Sequence, residues 1–175
     1  MRHWEINGNL DDEHTGIENY AIFENGVCKV KDLYDQVFGS DIMNRIDFYV
    51  DNATKDSGYT PICTPVLGRL FVIKLGIHPQ DSEERIIYQF AHELMHCVFY
   101  AYFGINRIRG TDWEEVVCSA ASLAALKMLC PEAFLRYKEH VEKLENSAYR
   151  QGATLAAELN CDMKRIRAKI EASVT

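Results

Sequence analysis

The apolar positions of this chain change period several times, and each change predicts an element. In residues 27–38 Val30, Leu33, Tyr34 and Phe38 recur at helical spacing, predicting a short amphipathic helix from Val27 to Phe38 that Gly39 closes. Arg45–Val50 (RIDFYV) is dense in β-branched and aromatic side chains and ends at Asp51-Asn52, as a strand would. Residues 53–61 (ATKDSGYTP) read as a turn-rich connection. Ile62–Val66 and Leu70–Ile77 predict two further strands that bend at Leu67-Gly68. Within the second, Leu70–Leu75 (LFVIKL) alternates poorly, which suits a strand covered on both faces or bordering a cleft.

The helical period returns from Ser82 to Phe103, where Gly104 stops it, with Asp81 and Ser82 as cap residues. One apolar stripe runs through Ile87, Phe90, Leu94, Val98 and Ala101, and a second side carries Gln89, His92, His96 and Phe103. A helix apolar on more than one side belongs at the centre of a fold. Asp112 reads as the cap of the next helix, Trp113–Leu129, whose small residues (VVCSAASLAALKML) permit close approach of a neighbour. Residues 1–20 lack periodicity and are expected to be loosely held, and residues 131–172 form a helical C-terminal subdomain. The expected architecture is α+β over 1–175 as a single domain: a small mixed or antiparallel sheet packed against a central helix, with a helical C-terminal half.

A length of 175 residues suffices for a core without covalent staples. The net charge of −7 argues against non-specific nucleic-acid binding by the whole chain. The six cysteines are scattered without C-x-x-C spacing, and several fall in apolar helical runs, the pattern of reduced buried thiols. With no signal-like segment and no run long enough for a bilayer, a cytoplasmic protein with no membrane partner is expected.

Chemistry concentrates in residues 91–103, AHELMHCVFYAYF. His92, Glu93 and His96 form H-E-x-x-H. On a helix, residues four apart lie about 40° apart in azimuth and one turn apart in height, so both imidazoles can reach one zinc ion. Glu93 lies to the side, suited to act as general base on a water at the metal rather than as a ligand. Three polar residues interrupt an apolar segment here, and metal ligation would satisfy groups that are otherwise costly to bury. Catalytic zinc sites usually take three protein ligands. His140 lies in a charged helix and is expected to be exposed, and His3 and His14 sit in polar stretches as solvated side chains. Glu115 is the preferred third ligand because it shares a face with Cys118, Ser119 and Ser122, with Glu114 as the alternative. One zinc ion is the expected cofactor, although His and carboxylate ligands also accept other divalent transition metals.

The segment IIYQFAHELMH, followed by an acidic residue opening a second helix, resembles the gluzincin-type metallopeptidases, and among them the ImmA/IrrE family. The resemblance covers about residues 45–172. Tyr88 stands where the family's F-x-x-A-H-E-x-x-H has Phe, and LKMLCPEAF around Pro131 matches the end of its Glu-bearing helix. The family's E-A-N-x-F-A is replaced by Glu115-Val116-Val117-Cys118-Ser119-Ala120, and the interval to the proline is longer. The resemblance implies that His92 and His96 bind zinc, Glu93 is the base, and Glu114 or Glu115 completes the site. It also implies an intracellular regulatory peptidase whose substrate is a repressor-like protein.

Thr154–Ile170 (TLAAELNCDMKRIRAKI) has the spacing of a helix-turn-helix, with Lys164, Arg165, Arg167 and Lys169 on its second helix. A helical hairpin packed on the rest of the chain is the simpler expectation. The sequence thus predicts a zinc metallopeptidase that cuts a peptide held beside the Leu70–Leu75 strand, with Tyr100, Tyr102 or an arginine stabilising the oxyanion. The alternatives are a zinc-holding interaction module of weak activity and a DNA-associated regulator acting through the C-terminal helices.

Overall fold

The computed structural model describes residues 4–6, 17–52, 61–78, 80–104 and 111–174. Along the chain run β1 (Trp4–Ile6), α1 (Ile17–Phe38), α2 (Ser40–Met43), β2 (Asp47–Asn52), β3 (Ile62–Leu67) and β4 (Leu70–Leu75). Five helices follow: α3 (Glu83–Phe103), α4 (Asp112–Leu129), α5 (Pro131–Glu142), α6 (Ser147–Glu158) and α7 (Met163–Glu171). The class is α+β, mostly helical, around one four-stranded sheet. The connection at 53–60 and both His3 and His14 lie outside the described residues.

The sheet has the order β1-β2-β4-β3. It is mixed: β1 and β4 run parallel to β2, and only the β3–β4 hairpin is antiparallel. Phe48, Val50 and Asn52 of β2 and Phe71, Ile73 and Leu75 of β4 are buried on one face, while the intervening residues are half-buried or exposed. LFVIKL is therefore an alternating strand with a single covered face, not one buried on both, because Leu70 and Val72 project onto the open side of the sheet. β4 is also paired along both edges, so the free edge nearest α3 belongs to β3 rather than to Leu70–Leu75.

One expectation near the N-terminus is overturned, and one strand is added. Trp4–Ile6 pairs with Phe48–Val50, and Trp4 stacks on Phe48 at 5.8 Å between ring centroids. The first helix starts at Ile17, not at Val27. Asn25-Gly26 resembles a helix break, yet Gly26 sits inside α1 where a Cβ would come within 2.8 Å of Ile86 Cγ2. The glycine is there for close packing, and Phe23, Val27, Val30 and Tyr34 continue one buried stripe past it.

α3 is tied to its neighbours by polar bonds at its N-terminal half and by aromatic contacts along its length. Gln89 accepts from the Gly76 N–H at 2.8 Å and donates to the Gly76 carbonyl at 3.1 Å, both buried. Asn52 makes the equivalent pair of bonds to Ile77 at 2.7 and 2.9 Å. The end of β4 and the chain just after it therefore keep their backbone groups satisfied while lying against the helix. Tyr34 of α1 donates to the Ala91 carbonyl at 2.6 Å, one residue before His92. Phe90 meets Phe48, and Tyr100 meets Phe71.

α4 begins one residue away from the expected cap. Thr111, not Asp112, accepts from the Glu114 N–H at 3.3 Å. The small residues of α4 are almost all buried, and α6 crosses that helix at Gly152. A Cβ at Gly152 would run into Ser119 Cβ and come within 2.9 Å of the Val116 carbonyl oxygen. Met163, Ile166 and Ile170 turn α7 inward. Arg167 donates to the carbonyls of Val37 and Phe38 at 2.8 and 3.1 Å, so this member of the predicted basic face is spent on the C-terminus of α1. Lys164, Arg165 and Lys169 remain exposed, as does His140. No helix among the described residues is long and apolar enough to cross a membrane.

Gly152→Ala is expected to lower unfolding stability by about 1–3 kcal/mol, the usual cost of forcing a methyl into a packed crossing. Urea denaturation checks this, and an unchanged midpoint would show that α6 is free to lift away from α4.

Candidate metal centre

The site forms where α3 faces the first turns of α4. Thr111 opens α4 so that Glu114 and Glu115 fall in its first turn, on neighbouring faces directed at α3. His92 and His96 lie on consecutive turns of α3, with ring centroids 5.1 Å apart. The two glutamates then divide the work. Glu115 Oε2 lies 3.3 Å from His92 Nε2, and Glu115 Oε1 lies 3.5 Å from His96 Nε2. Glu114 instead reaches behind His96, its Oε1 2.6 Å from Nδ1. A carboxylate can only accept, so the proton of this bond sits on Nδ1; in the neutral ring Nε2 is then the ligating atom, and in the protonated ring it carries a hydrogen towards Glu115.

Glu114 is almost wholly buried, and His96 is its hydrogen-bond partner there. A bond of this kind to a charged group contributes about 1.5–3 kcal/mol. Burial by itself would lower the pKa of His96, but the bond from Glu114 and the charges of Glu93, Glu114 and Glu115 outweigh it and raise it. The hydrogen bond from His92, helped by the charges of both imidazoles, pulls Glu115 below the ordinary glutamate value against its partial burial. Glu93 moves the other way: desolvation raises it, His92 and His96 oppose the rise, and Glu115 adds to it.

A cavity of about 270 Å³ opens beside these groups. Glu93 lines it together with the two histidines and both α4 glutamates, and Pro61 with Ile62 and Cys63 of β3 form another part of its wall. Cys118, one turn beyond Glu114 and Glu115, has its Sγ 3.5 Å from His96 Nδ1. His92, His96 and Cys118 have ligand atoms within 4.8 Å of one another and could hold a metal ion. Two imidazoles with a carboxylate or a thiol are donors that suit a divalent transition metal, so the residues present fit such an ion. Cys118 was seen in the sequence only as a small residue on the face of Glu115.

Of the three groups proposed for the oxyanion, Tyr100 lines the cavity. Tyr102 does not: its hydroxyl donates to Glu171 Oε1 at 3.0 Å, on the α7 side. Among the described residues that line the cavity there is no arginine. The aromatic group missing from the sequence argument is Tyr149 of α6, which stacks on His92 with ring centroids 5.6 Å apart and planes 6° apart. Burial, reinforced by the charges of Glu115 and Glu93, pushes its hydroxyl up to about 12, so it stands at the cavity as a protonated donor. Nothing near Tyr149 in the sequence marks it, since its role depends on how α6 crosses α4.

The chain matches no protein-family model, no curated protein and no solved structure.

Metal titration followed by calorimetry is expected to give one tight site that His92→Ala or His96→Ala abolishes. Glu114→Ala should weaken affinity about 10–100-fold, since it removes the group that fixes the His96 tautomer. Because the pKa of His96 is raised and its ligating form is neutral, affinity should fall as pH drops through that raised value. An affinity indifferent to both Glu114→Ala and pH would overturn this account of His96.

Proposed function

We propose that the protein is a zinc-dependent metallopeptidase of minimal zincin-like architecture, acting on a protein or peptide. The observation that carries this reading is the single carboxylate of Glu115, which faces Nε2 of both histidines at 3.3 and 3.5 Å while Glu93 lines the same cavity. His92, His96 and Glu115 would hold the ion, with Glu114 as the buried partner that orients His96. Cys118 is the weaker candidate for third ligand. It lies on the Nδ1 side of His96, where Glu114 already sits closer, and burial with surrounding carboxylates holds its thiol well above the usual range. A thiol must ionise to ligate, whereas Glu115 is already biased towards its charged form.

When bound, the metal supplies Lewis acidity to a substrate carbonyl and to a water. The chain's own residues supply the rest. Glu93 takes the proton of the attacking water and returns it to the leaving amine, and its raised pKa brings donor and acceptor closer to balance. The Tyr149 hydroxyl is the best-placed protonated donor for the oxygen that gains charge, with Tyr100 beyond it in the cavity wall. An extended peptide would add to the free edge of β3, which lines the cavity through Ile62 and Cys63. The likeness of HELMH and its flanks to ImmA/IrrE peptidases supports an intracellular regulatory role with a repressor-like substrate.

One observation favours a second reading. The His92, His96 and Cys118 group could hold the metal as a structural ion, leaving an interaction module without hydrolysis. Cleavage of a mixed peptide library by the zinc-loaded protein separates the two. Glu93→Gln is expected to keep the metal and lose about 100-fold or more in rate, the usual contribution of a positioned base. Tyr149→Phe should reduce kcat by about 100-fold with KM little changed. Wild-type cleavage by Glu93→Gln would refute the peptidase assignment.

A further inference from the structure

Beyond the metal ligands, the cavity wall contains a second pair of reactive groups. Cys63 lies on β3, half-buried, and lines the cavity. Cys97 follows His96 on α3 and is fully buried. Their sulfurs are 3.4 Å apart, close enough for one thiol to donate to the other. The Cys97 thiol also donates to the Glu93 carbonyl one turn back on α3, at 3.7 Å, so its sulfur has a partner on its own helix as well as on β3.

We propose that Cys63 and Cys97 form an oxidation site that a small hydroperoxide entering the cavity converts to a disulfide. Cys63 is the attacking group because it is the member that meets the cavity. Its sulfur, after losing a proton to water, attacks the distal oxygen of the peroxide; an S–O bond forms as the O–O bond breaks, the alkoxide or hydroxide takes back a proton from water and leaves as alcohol or water, and Cys63 becomes a sulfenic acid. The Cys97 sulfur then forms the S–S bond, and the hydroxyl departs as water with the Cys97 proton. In sum, two thiols and one hydroperoxide give one disulfide, one alcohol and one water. The thiols lose two electrons and the peroxide gains them.

The geometry favours this pair for a specific reason. A disulfide measures about 2.05 Å, so the sulfurs must close by roughly 1.4 Å. Cys97 is fixed on a helix packed against the sheet, α1 and α4, whereas β3, among the described residues, is laddered to β4 alone and touches α3 with its side chains, and it already changes register between Pro65 and Leu67. The strand can absorb the movement. The product would cross-link the cavity wall to the helix one residue beyond His96, narrowing the cleft between β3 and α3. Formation of the bond does not depend on the peptidase reading.

The test uses the full chain, reduced, with and without zinc, treated with a slight excess of hydrogen peroxide or tert-butyl hydroperoxide. The expected result is loss of two of the six thiols and a Cys63–Cys97 cross-linked peptide in the mass spectrum, reversed by dithiothreitol. Cys97→Ser should leave a sulfenic acid on Cys63 that dimedone traps, whereas Cys63→Ser should abolish thiol loss at Cys97. Circular dichroism of each variant establishes that it is folded. Absence of the cross-link in wild type, or undiminished oxidation of Cys97 in Cys63→Ser, would overturn the proposal. Peptide cleavage measured on the same samples is a separate readout, so failure of the peptidase assignment leaves this result legible.

Discussion

The arrangement depends on the seam between α3 and α4, where two imidazoles and the carboxylates of Glu93, Glu114 and Glu115 meet in surroundings otherwise made of apolar side chains. Isolated, a buried ionised group costs several kcal/mol, and neighbouring like charges add to that. The seam avoids much of this by pairing: Glu114 with His96 from behind, and Glu115 with both Nε2 atoms from in front. Several neighbouring groups hold that geometry. Gln89 and Tyr34 hold the approach to the motif, and the small residues of α4 let its backbone come close enough for short glutamate side chains to reach.

The legible part of this design was the part written in local periodicity. The α3 helix, the α4 helix, the β3–β4 hairpin and the helical C-terminal region follow from spacing and stop signals, because their packing agrees with local preference. The misread parts involve long-range partners. Trp4–Ile6 becomes a strand only because β2 is there to pair with it. The helix runs back to Ile17 through Gly26, whose packing against Ile86 has no local signature. Strand order is illegible too, so the peptide is expected beside Leu70–Leu75 although β3 pairs along that side. In the site itself, spacing brought His92 and His96 together but could not apportion Glu114 and Glu115, which differ by one residue and hence by about 100° around α4. Cys118 is legible only as a small residue on the face of Glu115, and Tyr149 carries no local signal.

The C-terminal helices are part of the site rather than an appendage. α6 approaches α4 closely at Gly152, and that closeness brings Tyr149 over His92 three residues earlier in the same helix. α7 is anchored through Arg167 to the end of α1, the helix whose Tyr34 bonds to Ala91. α1 and α7 therefore meet through Arg167. A hairpin with buried apolar residues and one cation turned inward has less surface to offer a nucleic acid than its composition suggests.

An edge strand that carries Ile62, Val66 and Leu67 exposed is ordinarily a hazard, because a second copy can dock along it and start an open-ended stack. Here Pro65 lacks an amide hydrogen, and the ladder shifts register between it and Leu67. The outer half of the strand is thereby a poor template for self-assembly. Only Ile62–Thr64, the stretch above the cavity, keeps an unbroken run of backbone donors and acceptors, so the same proline that guards against polymerisation also confines any visiting chain to the end of the sheet that faces the histidines.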